Sequence, residues 1–153
     1  MSKKIYLLVG APASGKTWIC SQLEDKFHLI HHDGFIYLKE PGAYVKQILK
    51  EAPEAEKPVL IEAPFSVSQT VEPLEKAGYK VEPVYIIEDE RTHSQRYLDR
   101  EKREGRWSDE KWKHLAGHVT RTKTYLKRAK EGGHFHGTSA EVLEHMKRIS
   151  ERA

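Results

Sequence analysis

Cysteine is nearly absent from this chain. The single one, Cys20, excludes an internal disulfide, and a reducing, cytoplasmic setting is the expectation. Long apolar runs are missing too, for none approaches the ~20 residues that a membrane-spanning helix requires. The opening stretch, MSKKIYLLVG, has two lysines and a short apolar run but no small-residue cleavage site after it. It reads as a buried strand and not as an export signal. Internal repeats, low-complexity tracts and long linkers are also lacking. The 153 residues suit one domain, 1–153, and are too few for two of ordinary size. What is present is charge, at 32% of residues against 38% hydrophobic, the balance of a soluble globular chain. The net charge is only +3, yet residues 1–90 hold 10 Lys and Arg against 14 Asp and Glu, and residues 91–153 hold 16 against 9. Either an anionic ligand held by the second half or a solvated helix face accounts for that asymmetry.

Apolar runs alternate with amphipathic ones. KIYLLV (4–9), HLIHH (28–32), PVLIEA (58–63), VEPVYII (81–87) and HFHG (134–137) are expected as strands. Pro83 belongs near a sheet edge or a bulge. Helices are expected over 16–26, with Trp18, Ile19 and Leu23 on one face, and over 44–52 and 89–104. Two more follow, one from Ser108 to Gly132-Gly133 and one after the capping box TSAE (138–141). This alternation predicts an α/β fold of three layers, a mostly parallel sheet of about five strands flanked by helices.

Gly10-Ala11-Pro12-Ala13-Ser14-Gly15-Lys16-Thr17 matches G-x-x-x-x-G-K-[ST], between an expected strand and an expected helix. Glycines let successive backbone N–H groups point at phosphate oxygens, and a helix N-terminus adds partial positive charge. Lys16 then neutralises the β and γ phosphates, and the Thr17 hydroxyl ligates Mg²⁺. The expected ligands are ATP and Mg²⁺. No N-K-x-D stretch specifies guanine, which argues against a GTPase. The strand VLIEAP has the single carboxylate Glu62 where motor ATPases carry an Asp-Glu pair. Between residues 91 and 106 lie Arg91, Arg96, Arg100, Arg103 and Arg106, placed to close over a transferring phosphoryl group. Asp99, Glu101 and Glu104 are interleaved with them, so a salt-bridged surface helix is the alternative.

On these residues the chain resembles the small P-loop kinases of the nucleoside-monophosphate-kinase-like superfamily, over nearly its whole length. Residues 61–88 look like the third strand, helix and fourth strand of adenylate kinases. Residues 96–126 are similar to their lid, here a short one over about 96–112, and 136–146 to the loop that meets adenine. The resemblance implies that Arg96 and Arg100 face the ATP phosphates, Arg106 the transferring group, and Gly137-Thr138 the adenine. Arg121 is a weaker member of the same cluster.

Adenylate kinases hold the acceptor monophosphate with arginines after the second and third strands. Here those stretches read HHDGFIY (31–37) and EAPFSVS (62–68), without arginine. Asp33, 17 residues beyond Lys16, stands where hydroxyl-directed members of the superfamily have an aspartate. These include polynucleotide 5′-kinases, shikimate-type kinases and zeta-toxin-like kinases. An alcohol acceptor must lose a proton during attack, so Asp33 is assigned as general base. Phe35, Tyr37 and Tyr44 lie in the acceptor-binding insertion, about 35–58, and aromatic rings suit a planar base or a sugar face. Glu62 either orients Mg²⁺ through water or holds the acceptor hydroxyl. The leading acceptor is a hydroxyl on DNA, RNA or a nucleotide, such as a 5′-OH or a hydroxymethylated base. A nucleotide kinase, a small-molecule or protein hydroxyl kinase, and a non-catalytic ATP-binding module remain as alternatives. His31 with His32, and His134 with His136, lack the tight sets with cysteine or acids of zinc sites and are read as ordinary histidines. Trp107 and Trp112 either stack on a base or pack the lid.

Overall fold

Five parallel strands make one sheet: β1 (Lys4–Val9), β2 (His28–Ile30), β3 (Val59–Glu62), β4 (Lys80–Ile86) and β5 (His136–Gly137). The computed structural model describes residues 3–31, 42–63 and 67–152. The strand order is β2-β3-β1-β4-β5, with β1 in the middle, flanked by β3 and β4. Because side chains alternate along a strand, β1 feeds two cores. Ile5, Leu7 and Val9 join one cluster, and Tyr6 and Leu8 join the other.

Helices α1 (Lys16–Gln22) and α6 (Ser139–Arg152) cover the Tyr6 and Leu8 face with Ile19, Cys20, Val142, Leu143 and Met146. Helices α2 (Ala43–Glu51), α3 (Val67–Lys76) and α5 (Lys111–Gly132) cover the other, through Tyr44, Ile48, Leu74, Tyr125 and Ala129. Helix α4 (Glu90–Arg103) packs on α5, where the Tyr97 ring meets His118 edge-on at 5.2 Å. Three layers with helices on both faces are thus the architecture expected from the alternating pattern. No helix among the described residues is long and apolar enough to cross a membrane.

Local signals explain most boundaries. Asp89 caps α4, its carboxylate accepting from Thr92 N at 2.9 Å and Thr92 Oγ1 at 2.7 Å. The capping box at α6 forms in full: Thr138 N donates to Glu141 Oε1 at 3.1 Å, and Glu141 N donates to Thr138 Oγ1 at 3.3 Å. Pro83 pairs in register with Leu7, and β5 reaches only Tyr85 and Ile86, so Pro83 lies where β4 has a neighbour on one side only.

Four expectations are corrected. Helix α1 stops at Gln22, not 26, and β2 ends at Ile30, not residue 32. The long helix begins at Lys111, after turns through Ser108 and Asp109, not at Ser108 itself. Trp18 does not share the buried face of Ile19 and Leu23; it is 46% exposed while they are fully buried. At about 100° per residue, positions 19 and 23 nearly superpose, whereas 18 and 23 stand about 140° apart.

Candidate functional site

The connection from β1 to α1 lies at the carboxyl edge of the central strand, where α/β sheets bind ligands. Backbone conformation there is specialised. Ala13 and Gly15 have φ of 65° and 110°, and Ser14 N donates to Ala11 O at 3.1 Å. A Cβ on Gly10 would sit 2.4 Å from Ser14 Oγ, and one on Gly15 would sit 3.0 Å from Ser139 Cβ. Close contact therefore favours glycine at position 10, and at position 15 contact and the positive φ both do.

Two side chains outside the motif hold this loop. His93, fully buried on α4, meets Pro12 O through Nε2 at 2.7 Å; the carbonyl only accepts, so Nε2 carries the proton. Glu88, just past β4, is the second anchor. Its Oε1 accepts from Ser139 N and Ser139 Oγ, both at 2.7 Å, and from Arg96 Nη1 at 3.0 Å. Arg96 Nη1 also reaches Ser14 O at 3.4 Å, joining the network to the loop. Replacing Glu88→Ala strands the buried Ser139 N–H and frees Arg96. The expected cost is about 1–3 kcal/mol, read from urea unfolding, together with weaker nucleotide binding.

The loop opens onto a cleft of about 830 Å³ lined by Pro12, Ala13, Gly15, Lys16 and Thr17 on one side and Arg96, Arg100 and Arg106 on the other. Trp18, Asp99, Arg103 and Glu104 complete its wall. Burial pushes the Lys16 amine below its ordinary range; Glu62 and Cys20 pull it back up, and Arg121 and Arg100 press it further down. Arg121, the weaker member of the expected cluster, is not among the residues lining the cleft. Ser14 Oγ and Arg100 Nε are buried without hydrogen-bond partners among the described residues. Ser14 is not part of the cleft lining, but Arg100 is, and its unpartnered Nε and the partly desolvated Lys16 ammonium in one cleft fit the oxygens of a polyphosphate such as that of ATP.

The lid arginines are engaged with acids. Covered Glu101 accepts from Arg106 Nε at 2.7 Å, with Arg100 at 3.6 Å and Lys111 at 3.9 Å. Arg106 also pairs with Glu104. The Arg106 hydrogen bond, more than burial opposes it, holds the Glu101 carboxyl below its usual range. Trp107 and Trp112 pack edge-on against each other at 5.2 Å, with Lys102 over the Trp107 ring; Trp112 is 54% exposed and neither ring joins a core cluster. His118 is pushed down to about 4, first by burial and then by Arg121, His93, Arg100 and His114. Its folded value lies below the unfolded one of about 6.5, so the unfolded chain binds more protons between the two. Thermal stability is expected to fall as pH drops from about 6.5 towards 4, and His118→Asn is expected to flatten that slope in pH-dependent melting.

Glu62 stands on the other side of Lys16. Its Oε1 accepts from His31 Nδ1 at 2.9 Å and from Cys20 Sγ at 3.5 Å, and its backbone carbonyl accepts from Tyr44 Oη at 2.7 Å. Burial first, and Glu62 next, push the Cys20 thiol up to about 12. Tyr44 also donates to Ile30 O at 3.0 Å, so this aromatic residue ties the ends of β2 and β3 together and does not stand open to a ligand. Asp33, Phe35, Tyr37 and His32 lie outside the described residues. Gly137 ends β5 and Thr138 follows it, apart from the lining of this cleft; a Cβ on Gly137 would meet Glu141 Cβ at 3.0 Å, so the residue is packed tightly against the capping box. His134 stacks with Tyr85 at 6.1 Å, and His136 is exposed.

The β2-β3-β1-β4-β5 parallel sheet with its glycine loop between β1 and α1 defines the P-loop NTPase fold. Solved structures agree. A gluconokinase from Sinorhizobium meliloti aligns over 97% of this chain and 94% of its own, at 13% identity and a TM-score of 0.51. An uncharacterized protein from Eubacterium ventriosum aligns over 100% of both chains at 13% identity and a TM-score of 0.59. No protein-family model and no curated protein matches the sequence.

Proposed function

We propose that this chain is an ATP-dependent kinase that transfers the γ-phosphate to a hydroxyl. The observation that carries the reading is the cleft in which Lys16 and the phosphate loop face Arg96, Arg100 and Arg106. Phosphoryl transfer needs little covalent chemistry from the protein and much charge placed around the moving group, and this cleft supplies that charge. Gly10 to Thr17 hold the phosphates, and Thr17 holds Mg²⁺. When bound, that ion neutralises charge on the β and γ phosphates. Gly137 and Thr138 are assigned to the adenine.

A hydroxyl acceptor is supported by what the first half of the chain lacks. No arginine precedes Arg91, so neither acceptor-side stretch offers the guanidinium clamp a monophosphate needs. Asp33 is the general base, and Phe35, Tyr37 and Glu62 complete the acceptor side. A hydroxyl on a nucleic acid or nucleotide is the first reading. A small polyhydroxy acceptor is the second, favoured by the gluconokinase that shares the fold.

Terminally labelled ATP offered to 5′-OH oligonucleotides, hydroxymethylated DNA, gluconate and a set of mononucleotides tests both. Label on a hydroxyl, with none on the phosphate of a monophosphate, is the expected result. Labelled diphosphates would make the chain a nucleotide kinase. Tight ATP binding without any transfer would make it a binding module.

A further inference from the structure

We infer that Cys20, His31 and Glu62 form a zinc site beside the phosphate loop. Strands β2 and β3 pair with Ile30 opposite Ile61, so the next residues, His31 and Glu62, emerge side by side from the carboxyl edge. Cys20 reaches the same point from α1. One ligand atom from each, His31 Nδ1, Cys20 Sγ and a Glu62 oxygen, falls within 4.8 Å of the others. Tetrahedral zinc, with bonds of about 2.0–2.3 Å, sets its ligands about 3.3–3.8 Å apart. The Cys20 to Glu62 distance of 3.5 Å already meets that spacing. The 2.9 Å between His31 and Glu62 is a hydrogen bond and opens by less than about 1 Å once a metal replaces the proton.

The donor set selects the ion. Thiolate and imidazole suit zinc, whereas Mg²⁺ takes oxygen and belongs with Thr17 and the phosphates. Binding forms Zn–S, Zn–N and Zn–O bonds, releases the Cys20 thiol proton to solvent and moves the His31 proton from Nδ1 to Nε2; no electron is transferred. Three protein ligands leave a fourth position, and the His31 side chain is 58% exposed, so this position communicates with solvent in the manner of an open zinc site. The site stands whether or not the chain transfers phosphate.

The test is a titration of the full-length, metal-free protein, without nucleotide, with Co²⁺ as a spectroscopic stand-in and Zn²⁺ as competitor. One equivalent of Co²⁺ is expected to give a thiolate-to-metal absorption that Zn²⁺ abolishes. Cys20→Ser is expected to remove that band. His31→Ala, at an exposed side chain that leaves the core intact, is expected to weaken Zn²⁺ binding by at least about 100-fold with unchanged melting of the apo protein. A Co²⁺ complex without a thiolate band, or equal Zn²⁺ affinity in the parent and both variants, overturns the site. Neither result touches the kinase reading, which rests on labelled phosphate.

Discussion

Lys16→Ala is expected to lower phosphoryl transfer by at least about 10³-fold, the scale of removing a principal charge that meets the transferring group. Burial already disfavours the Lys16 ammonium, and Arg100 and Arg121 add repulsion that Glu62 only partly offsets. A cation held under such pressure gains most when a triphosphate arrives. Removing it leaves the folded chain with one less desolvated charge, so stability is expected to hold or rise while turnover collapses. Single-turnover kinetics alongside urea unfolding separate these effects. A variant that keeps more than a tenth of parental turnover would remove Lys16 from the reaction.

Asp33→Asn is the second large effect, about 10²–10⁴-fold in turnover with ATP affinity nearly unchanged. The amide keeps the size and shape of the side chain but cannot take a proton from an alcohol. An acceptor that is already an anion needs no such base, so the same substitution would be close to neutral in a monophosphate kinase. Measuring kcat with the labelled hydroxyl acceptor, and ATP binding by calorimetry, reads the two halves of the expectation. Intact turnover would leave the hydroxyl assignment without its base.

Much of the fold was legible because its signals are local. Continuous apolar runs such as KIYLLV mark strands buried on both faces, and TSAE marks a helix start that the hydrogen bonds reproduce. The phosphate loop was legible for the same reason, its eight residues being contiguous. What escaped was whatever depends on distant residues meeting. His93 braces the loop from 81 positions away, and Glu88 acts on it through Arg96, 82 positions from Ser14; neither sits in a pattern that sequence reading singles out. Glu88 carries one available signal, a carboxylate at the end of a buried strand, the same signal that drew attention to Glu62. Tyr44 was read as an acceptor-facing ring, yet its hydroxyl binds two carbonyls across the sheet edge. The hydrogen bond of His31 to Glu62 joins residues 31 positions apart and has no signal in the order of the chain. Trp18 was misplaced by a helical angle that the spacing itself contained.

The grip of Glu101 on Arg106, Arg100 and Lys111 has a consequence for how quickly nucleotide comes and goes. That carboxylate is a decoy anion: it keeps several cations from repelling one another while no substrate is present. Under the kinase reading, an incoming phosphate has to win each guanidinium away from it, and a departing product hands them back. Shallow occupancy and rapid exchange are then expected, and strengthening the decoy is expected to quicken release at the expense of capture.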